Sequence, residues 1–275
     1  MILRLREPYD FDLSLERYRT FGPDPAAFWH EGALHRVFGG VEVRIEAAPG
    51  GVRIEPGGAG SAADVLRFLG AGFDLDAFRA LAAGEPVLRE LVPRLAGFRP
   101  PVVADSWEAL VGSITAQQVS LYTALAIRRR FVERFGRRVG LAWAFPPRER
   151  VAAAEPDELV ALGFSRRKAD YTVGLARSDL DLDGLAALPD GEVKARLLAL
   201  PGIGEWTADW FLARHLARPD AWPAGDLGLR KAVGRFVLAG REPSVEETRE
   251  VGERFASHRN LAAHYLLTAM RVVAR

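Results

Sequence analysis

The chain has 275 residues, 49% hydrophobic and 27% charged, enough to bury a substantial core and to form two units. It has no cysteine, which excludes disulfides, thiolate zinc sites and iron–sulfur clusters, and its five scattered histidines offer no transition-metal spacing. A net charge of +1 does not announce a nucleic-acid binder, and no apolar run approaches the ~20 residues that span a bilayer.

The opening Met1-Ile-Leu-Arg-Leu-Arg-Glu-Pro8 lacks the apolar core and cleavage site of a signal peptide, so a cytoplasmic place of action is expected. Ile2–Arg6, Val41–Glu46 and Val52–Glu55 alternate apolar and polar residues. The last two are joined by Ala-Ala-Pro-Gly-Gly, which predicts an antiparallel hairpin. Helices are predicted near Ala62–Leu69 and Asp76–Ala83, the second opening at an aspartate cap. Pro86 to Pro101, broken by Pro93, Gly97 and Pro100, reads as a junction.

From Asp105 the pattern turns wholly helical, through Trp107–Ser113, Val119–Phe135, Asp157–Leu162, Ser165–Leu175, Glu192–Leu200, Glu205–Leu216, Leu227–Val237, Val245–Ala256 and Asn260–Val273. The predicted fold is α+β: a β-rich unit over 1–90, with helices on one face of an antiparallel sheet, then an all-α unit over 91–275. Only three lysines occur, so the basic charge is nearly all arginine, the better phosphate fork. Arg128, Arg129, Arg130, Arg134, Arg137 and Arg138 cluster, as do Arg166, Arg167 and Lys168; each run reads as a solvated helix face or as a DNA footprint.

Two stretches organise the helical part. In Leu197-Leu-Ala-Leu-Pro-Gly-Ile-Gly-Glu-Trp-Thr-Ala-Asp-Trp-Phe211, Pro201 ends one helix and Gly202 and Gly204 permit a tight turn into the next. The free N–H groups and helix dipole at that corner suit a phosphate, and side chains at the two glycines would block a nucleic-acid backbone. This is a helix-hairpin-helix, at about 191–216. Twenty residues beyond Trp206, Pro223-Ala-Gly-Asp226 precedes another helix. Asp226 reads as an N-cap, as a catalytic carboxylate, or as both. Trp206 and Trp210, four apart, share a helix face and read as core packing or as the wall of a pocket.

Together these residues resemble the helix-hairpin-helix, Gly/Pro-Asp superfamily of DNA base-excision glycosylases, and most closely its 3-methyladenine DNA glycosylase II (AlkA-type) branch. Further matches are Gly112-Ser-Ile-Thr-Ala-Gln-Gln-Val-Ser120, Gly163-Phe-Ser-Arg-Arg-Lys-Ala169 and Arg259-Asn-Leu-Ala-Ala263, so the resemblance runs from about Ser106 onward.

The resemblance implies an enzyme that flips alkylated purines of the 3-methyladenine type out of double-stranded DNA and hydrolyses their glycosidic bond. It implies Asp226 as the carboxylate facing the sugar cation, and Trp206, Trp210 and Leu267 at the base pocket. It implies Gly202, Ile203, Gly204, Thr207, Gln118, Arg166, Arg167 and Lys168 as DNA contacts, with Gln118 filling the gap left by the base. Leu267 stands where relatives often have a stacking tryptophan, and Gln118 where the best-known AlkA-type member has leucine. Trp206 stands where strand-cleaving relatives carry a lysine nucleophile, which implies a monofunctional enzyme.

No organic cofactor is expected, with at most a monovalent cation between hairpin carbonyls and a DNA phosphate. A monomeric, nucleoid-associated protein is expected, with a small N-terminal domain remote from the chemistry. A glycosylase for oxidised or deaminated bases and a non-catalytic DNA-binding module are the alternatives.

Overall fold

The computed structural model describes residues 1–272. Five strands, β1 (Ile2–Arg4), β2 (Phe28–His30), β3 (Ala33–Phe38), β4 (Val41–Ala48) and β5 (Gly51–Glu55), form an antiparallel sheet in the order β1-β5-β4-β3-β2. The hairpin expected from the alternation is β4–β5, with Ile45 opposite Ile54. Leu34, Val43, Ile45, Val52 and Ile54 are fully buried in a core that also holds Phe68 and Leu69 of the Ala59–Phe68 helix and its cap. Alternation misses β2, which is only three residues long, and β3, where Ala33, Leu34, His35 and Arg36 are all buried and no polar face shows.

The expected boundary at residue 90 does not coincide with the packing. The helices Leu75–Gly84 and Pro86–Arg94 turn away from the sheet. Their Phe78, Leu88 and Leu91 share a core with Trp222, Leu229, Phe255 and Leu266 near the end of the chain. A second helical core, centred on Trp107, Phe131, Leu197 and Phe211, lies between. Three cores therefore exist, and the chain leaves the one that holds Phe78 at about residue 100 and returns to it at about residue 222.

Two local expectations change as well. Pro86–Arg94 is one helix, because Pro86 falls in its first turn, where a proline costs no hydrogen bond, and Pro93 falls in its last. The run after Asp105 is not wholly helical. β6 (Arg137–Val139) and β7 (Ala142–Ala144) form a hairpin through Gly140, and the Trp143 N–H donates to the Pro25 carbonyl at 2.9 Å. Part of the arginine cluster is engaged within the protein: half-buried Arg128 pairs with Asp24, Arg130 donates to the Leu162 carbonyl, Arg129 pairs with Glu133 and Arg134 with Glu158, while Arg137 and Arg138 stay exposed.

The sheet is fastened to the helices by a buried ion network. Glu108, 4% exposed on the Ser106–Ala116 helix, accepts from Arg128 at 2.5 Å and from Arg36 of β3, and Arg128 donates on to Asp24 at 2.8 Å. Burial alone would raise the Glu108 pKa, but Arg36 and Arg128 outweigh it and hold the carboxyl below the usual range. Removing one member of such a network strands the others in a dry site. Glu108→Ala is therefore expected to cost about 3–5 kcal/mol, read as a lower midpoint in urea unfolding.

Candidate functional site

The hairpin helices are Asp190–Leu198 and Glu205–Arg214. Leu197, Ile203 and Ala208 are buried between them, and Lys194 pairs with Asp209 at 2.7 Å across the joint. The two glycines do different jobs. Gly202 has φ +81°, and a Cβ there would lie 2.1 Å from the Tyr171 ring, so its missing side chain is explained inside the protein. Gly204 is the extended N-cap of the second helix, and a Cβ there would meet nothing within 4 Å. Only at Gly204 is the space that a side chain would fill open to an approaching phosphate.

The remaining sequence-derived DNA contacts divide. Gln118 is exposed in a left-handed turn (φ 53°) between the Ser106–Ala116 and Leu121–Phe135 helices, and the Gly204 corner, Arg166 and Arg167 also face solvent. Arg166 is paired with Asp157.

Three expected contacts are turned inward. The Ile203 side chain is packed in the core, Thr207 is 1% exposed, and the Lys168 ammonium donates to the Thr115 carbonyl at 2.9 Å, its pKa lowered by burial. Apolar packing claims Ile203, and the helix start at Ser165 aims Lys168 back toward the neighbouring helix. Sequence reasoning missed Gln117. Its amide donates to the Gly202 carbonyl at 2.9 Å and to the Thr207 hydroxyl at 3.2 Å, tying the turn that carries Gln118 to the hairpin.

Asp226 is both cap and anchored carboxylate. One oxygen accepts from the Leu229 N–H at 2.9 Å, starting the Leu227–Val237 helix. The other accepts two indole N–H bonds, from Trp206 at 2.7 Å and Trp210 at 3.0 Å. The four-residue spacing of the tryptophans puts both donors on one helix face, where a single oxygen can take both.

These tryptophans line a cavity of about 190 Å³, closed by the Ser106–Ala116, Glu205–Arg214 and Arg259–Val272 helices and by the N-terminal helical turns. For scale, a dry cavity of about 150 Å³ holds benzene. Leu267, His264 and Arg271 contribute from the last helix. Arg17, Tyr18, Phe21 and Asp24 also line it, so the N-terminal unit is not remote from the site, as the resemblance implied, but forms one of its walls.

The cavity is more cationic than the sequence reading suggested. Arg214 lies four residues beyond Trp210, with its guanidinium 3.5 Å from that ring's centroid, so one face of Trp210 is already covered by a cation. Arg271 pairs with Glu16 at 3.0 Å. Burial, followed by Arg214, Arg17 and Arg271, holds the His264 pKa well below its ordinary value of 6.5.

The family model for HhH-GPD superfamily base excision DNA repair proteins matches residues 111–257. The chain belongs to the HhH-GPD superfamily. It is similar to the DNA-3-methyladenine glycosylase of Bacillus subtilis, at 29% identity over 74% of this chain and 71% of that protein. It is also similar to DNA-3-methyladenine glycosylase 2 of Escherichia coli, at 30% identity over 73% of this chain and 70% of that protein. The solved 3-methyladenine DNA glycosylase of Archaeoglobus fulgidus superposes with a TM-score of 0.88 at 25% identity, covering 99% of both chains. As an HhH-GPD protein the chain acts on DNA, and the hairpin lies inside the matched segment.

Two outcomes are expected. Gly204→Glu should weaken binding to damaged and undamaged duplexes alike, with melting close to wild type, because phosphate contacts position without reading sequence. Gly202→Ala should instead lower the melting temperature, and paired filter-binding and melting measurements separate the two.

The second concerns acid. A histidine kept neutral in the fold binds its proton only after unfolding, so stability is present above the unfolded value near pH 6.5 and is lost as pH falls below it. Melting temperature should decline from pH 7 to pH 5, and His264→Asn should make that decline shallower.

Proposed function

We propose that the protein is a monofunctional DNA glycosylase that flips alkylated purines of the 3-methyladenine type into the cavity and hydrolyses their glycosidic bond. The observation that carries this reading is Asp226, held by the indole N–H groups of the two tryptophans that line the cavity. Departure of the base leaves an oxocarbenium-like sugar, and a fixed carboxylate stabilises that cation without reorganising. Asp226 also orients or deprotonates the attacking water. An alkylated purine already carries positive charge, so its departure needs little acid assistance.

None of the three lysines lines the cavity among the described residues, which supports hydrolysis over an amine-linked sugar intermediate. Exposed Gln118 fills the gap in the stack, and the N–H groups at Gly204 grip a phosphate. The Leu200 carbonyl accepts from Ile203 and the Gly202 carbonyl from Gln117, leaving each a lone pair for a monovalent cation shared with that phosphate. The protein acts as a monomer on duplex DNA in the cytoplasm. Among the described residues no helix is long and apolar enough to cross a membrane.

The test is Asp226→Asn, in single-turnover excision from alkylated duplex beside a binding titration. Excision is expected to fall by ~10²–10³ while binding persists. An asparagine oxygen can serve either the helix cap or the indoles, and its amide would meet donors on the other side. A stability loss of about 1–3 kcal/mol is therefore expected with it. Excision within about threefold of wild type would remove Asp226 from the chemistry.

A further inference from the structure

Of the charged groups that line the cavity, Arg17 and Arg214 go unused by the chemistry above and have no ion-pair partner among the described residues, and Arg214 is the one with a buried, unsatisfied Nε. Among the described residues, the Arg214 guanidinium has neither an ion-pair nor a hydrogen-bond partner, and its Nε is buried with none. Arg271 has Glu16, Arg128 has Asp24 and Glu108, and half-buried Arg17 lies 5.5 Å from the Tyr18 ring. Arg214 has only the face of Trp210, at 3.5 Å, which fixes the plane of the fork and accepts none of its protons. A buried donor without an acceptor costs free energy. A guanidinium carries five N–H donors and no acceptor, so whatever satisfies it must present acceptors.

We infer that Arg214 is a specificity-determining residue that reads the six-position edge of the flipped base, favouring 6-oxo purines over 6-amino purines. The inference rests on the glycosylase reading. A guanine-type edge offers O6 and N7, two acceptors at the spacing an arginine fork matches. An adenine-type edge offers N7 beside an amino group, which would set donor against donor. Alkylation changes how much of the edge survives. 3-Methylguanine keeps both acceptors and can engage the fork with both arms, 7-methylguanine keeps O6 alone, and 3-methyladenine keeps only N7. The order of dependence on Arg214 follows: 3-methylguanine most, 7-methylguanine less, 3-methyladenine least.

Duplex DNA treated with a methylating agent carries all three lesions at once, so the released bases can be quantified by mass in one single-turnover reaction. In Arg214→Met, the ratio of 3-methylguanine to 3-methyladenine release should fall about ten- to a hundredfold, the range of one bidentate arginine contact. Arg214→Lys keeps the charge without the fork, and its ratio should fall nearly as far. An unchanged ratio in both variants overturns the inference, whether release of all bases drops together, as loss of support for Trp210 would cause, or none drops.

Calorimetric titration of the wild-type protein with free 3-methylguanine and free 3-methyladenine decides the matter independently of turnover and of how the variants fold. Tighter binding of the 6-oxo base supports the role of Arg214, and equal or reversed affinities overturn it. A wild-type protein that releases no base would sink the glycosylase reading, while this titration would still judge Arg214.

Discussion

The site depends on one carboxylate that three N–H groups hold. Asp226 is fixed from below by the first turn of the helix it caps and from the side by two indoles on another helix. Neither set alone would do. A cap fixes the residue but leaves one oxygen free to turn, and the indoles need the carboxylate already in reach. Because the tryptophans also line the cavity, the contacts that orient the anion are the contacts that shape the cavity.

The wider architecture serves this arrangement. Leu267 packs against both helical cores, so the wall it forms is set by the way those cores meet. The Asp24–Arg128–Glu108–Arg36 network joins sheet and helices directly behind the cavity, and Asp24, Glu108 and Arg128 themselves line it. The N-terminal unit therefore takes part in forming the site.

How much of this was legible depends on the range of the interactions. The hairpin and Asp226 were read directly because turn chemistry is local: Pro201, Gly202 and Gly204 dictate the corner, and a Gly-Asp before an apolar-periodic run dictates a cap. The Trp206–Trp210 face was legible as a spacing, and Arg214 continues the same four-residue series, so it was within reach of the same rule. The partners of these side chains were not. Nothing in the sequence around Lys168 says that its ammonium meets the Thr115 carbonyl, nor around Arg128 that its charge is neutralised more than a hundred positions away at Asp24. The packing across residue 90 was out of reach for the same reason, since Phe78 and Leu88 share a core with residues after 220.

The bond network of Gln117 carries a geometric consequence. Its amide spans the hairpin turn at Gly202 and Thr207, while its neighbour Gln118 stands exposed at the apex of the adjoining turn. The exposed Gln118 and the open Gly204 corner are thereby tied together, so that under the proposed function a phosphate grip and a stack-filling side chain would work as one caliper. On that reading a damaged base close to a strand end, with no phosphate at the far jaw, would give the hairpin nothing to hold.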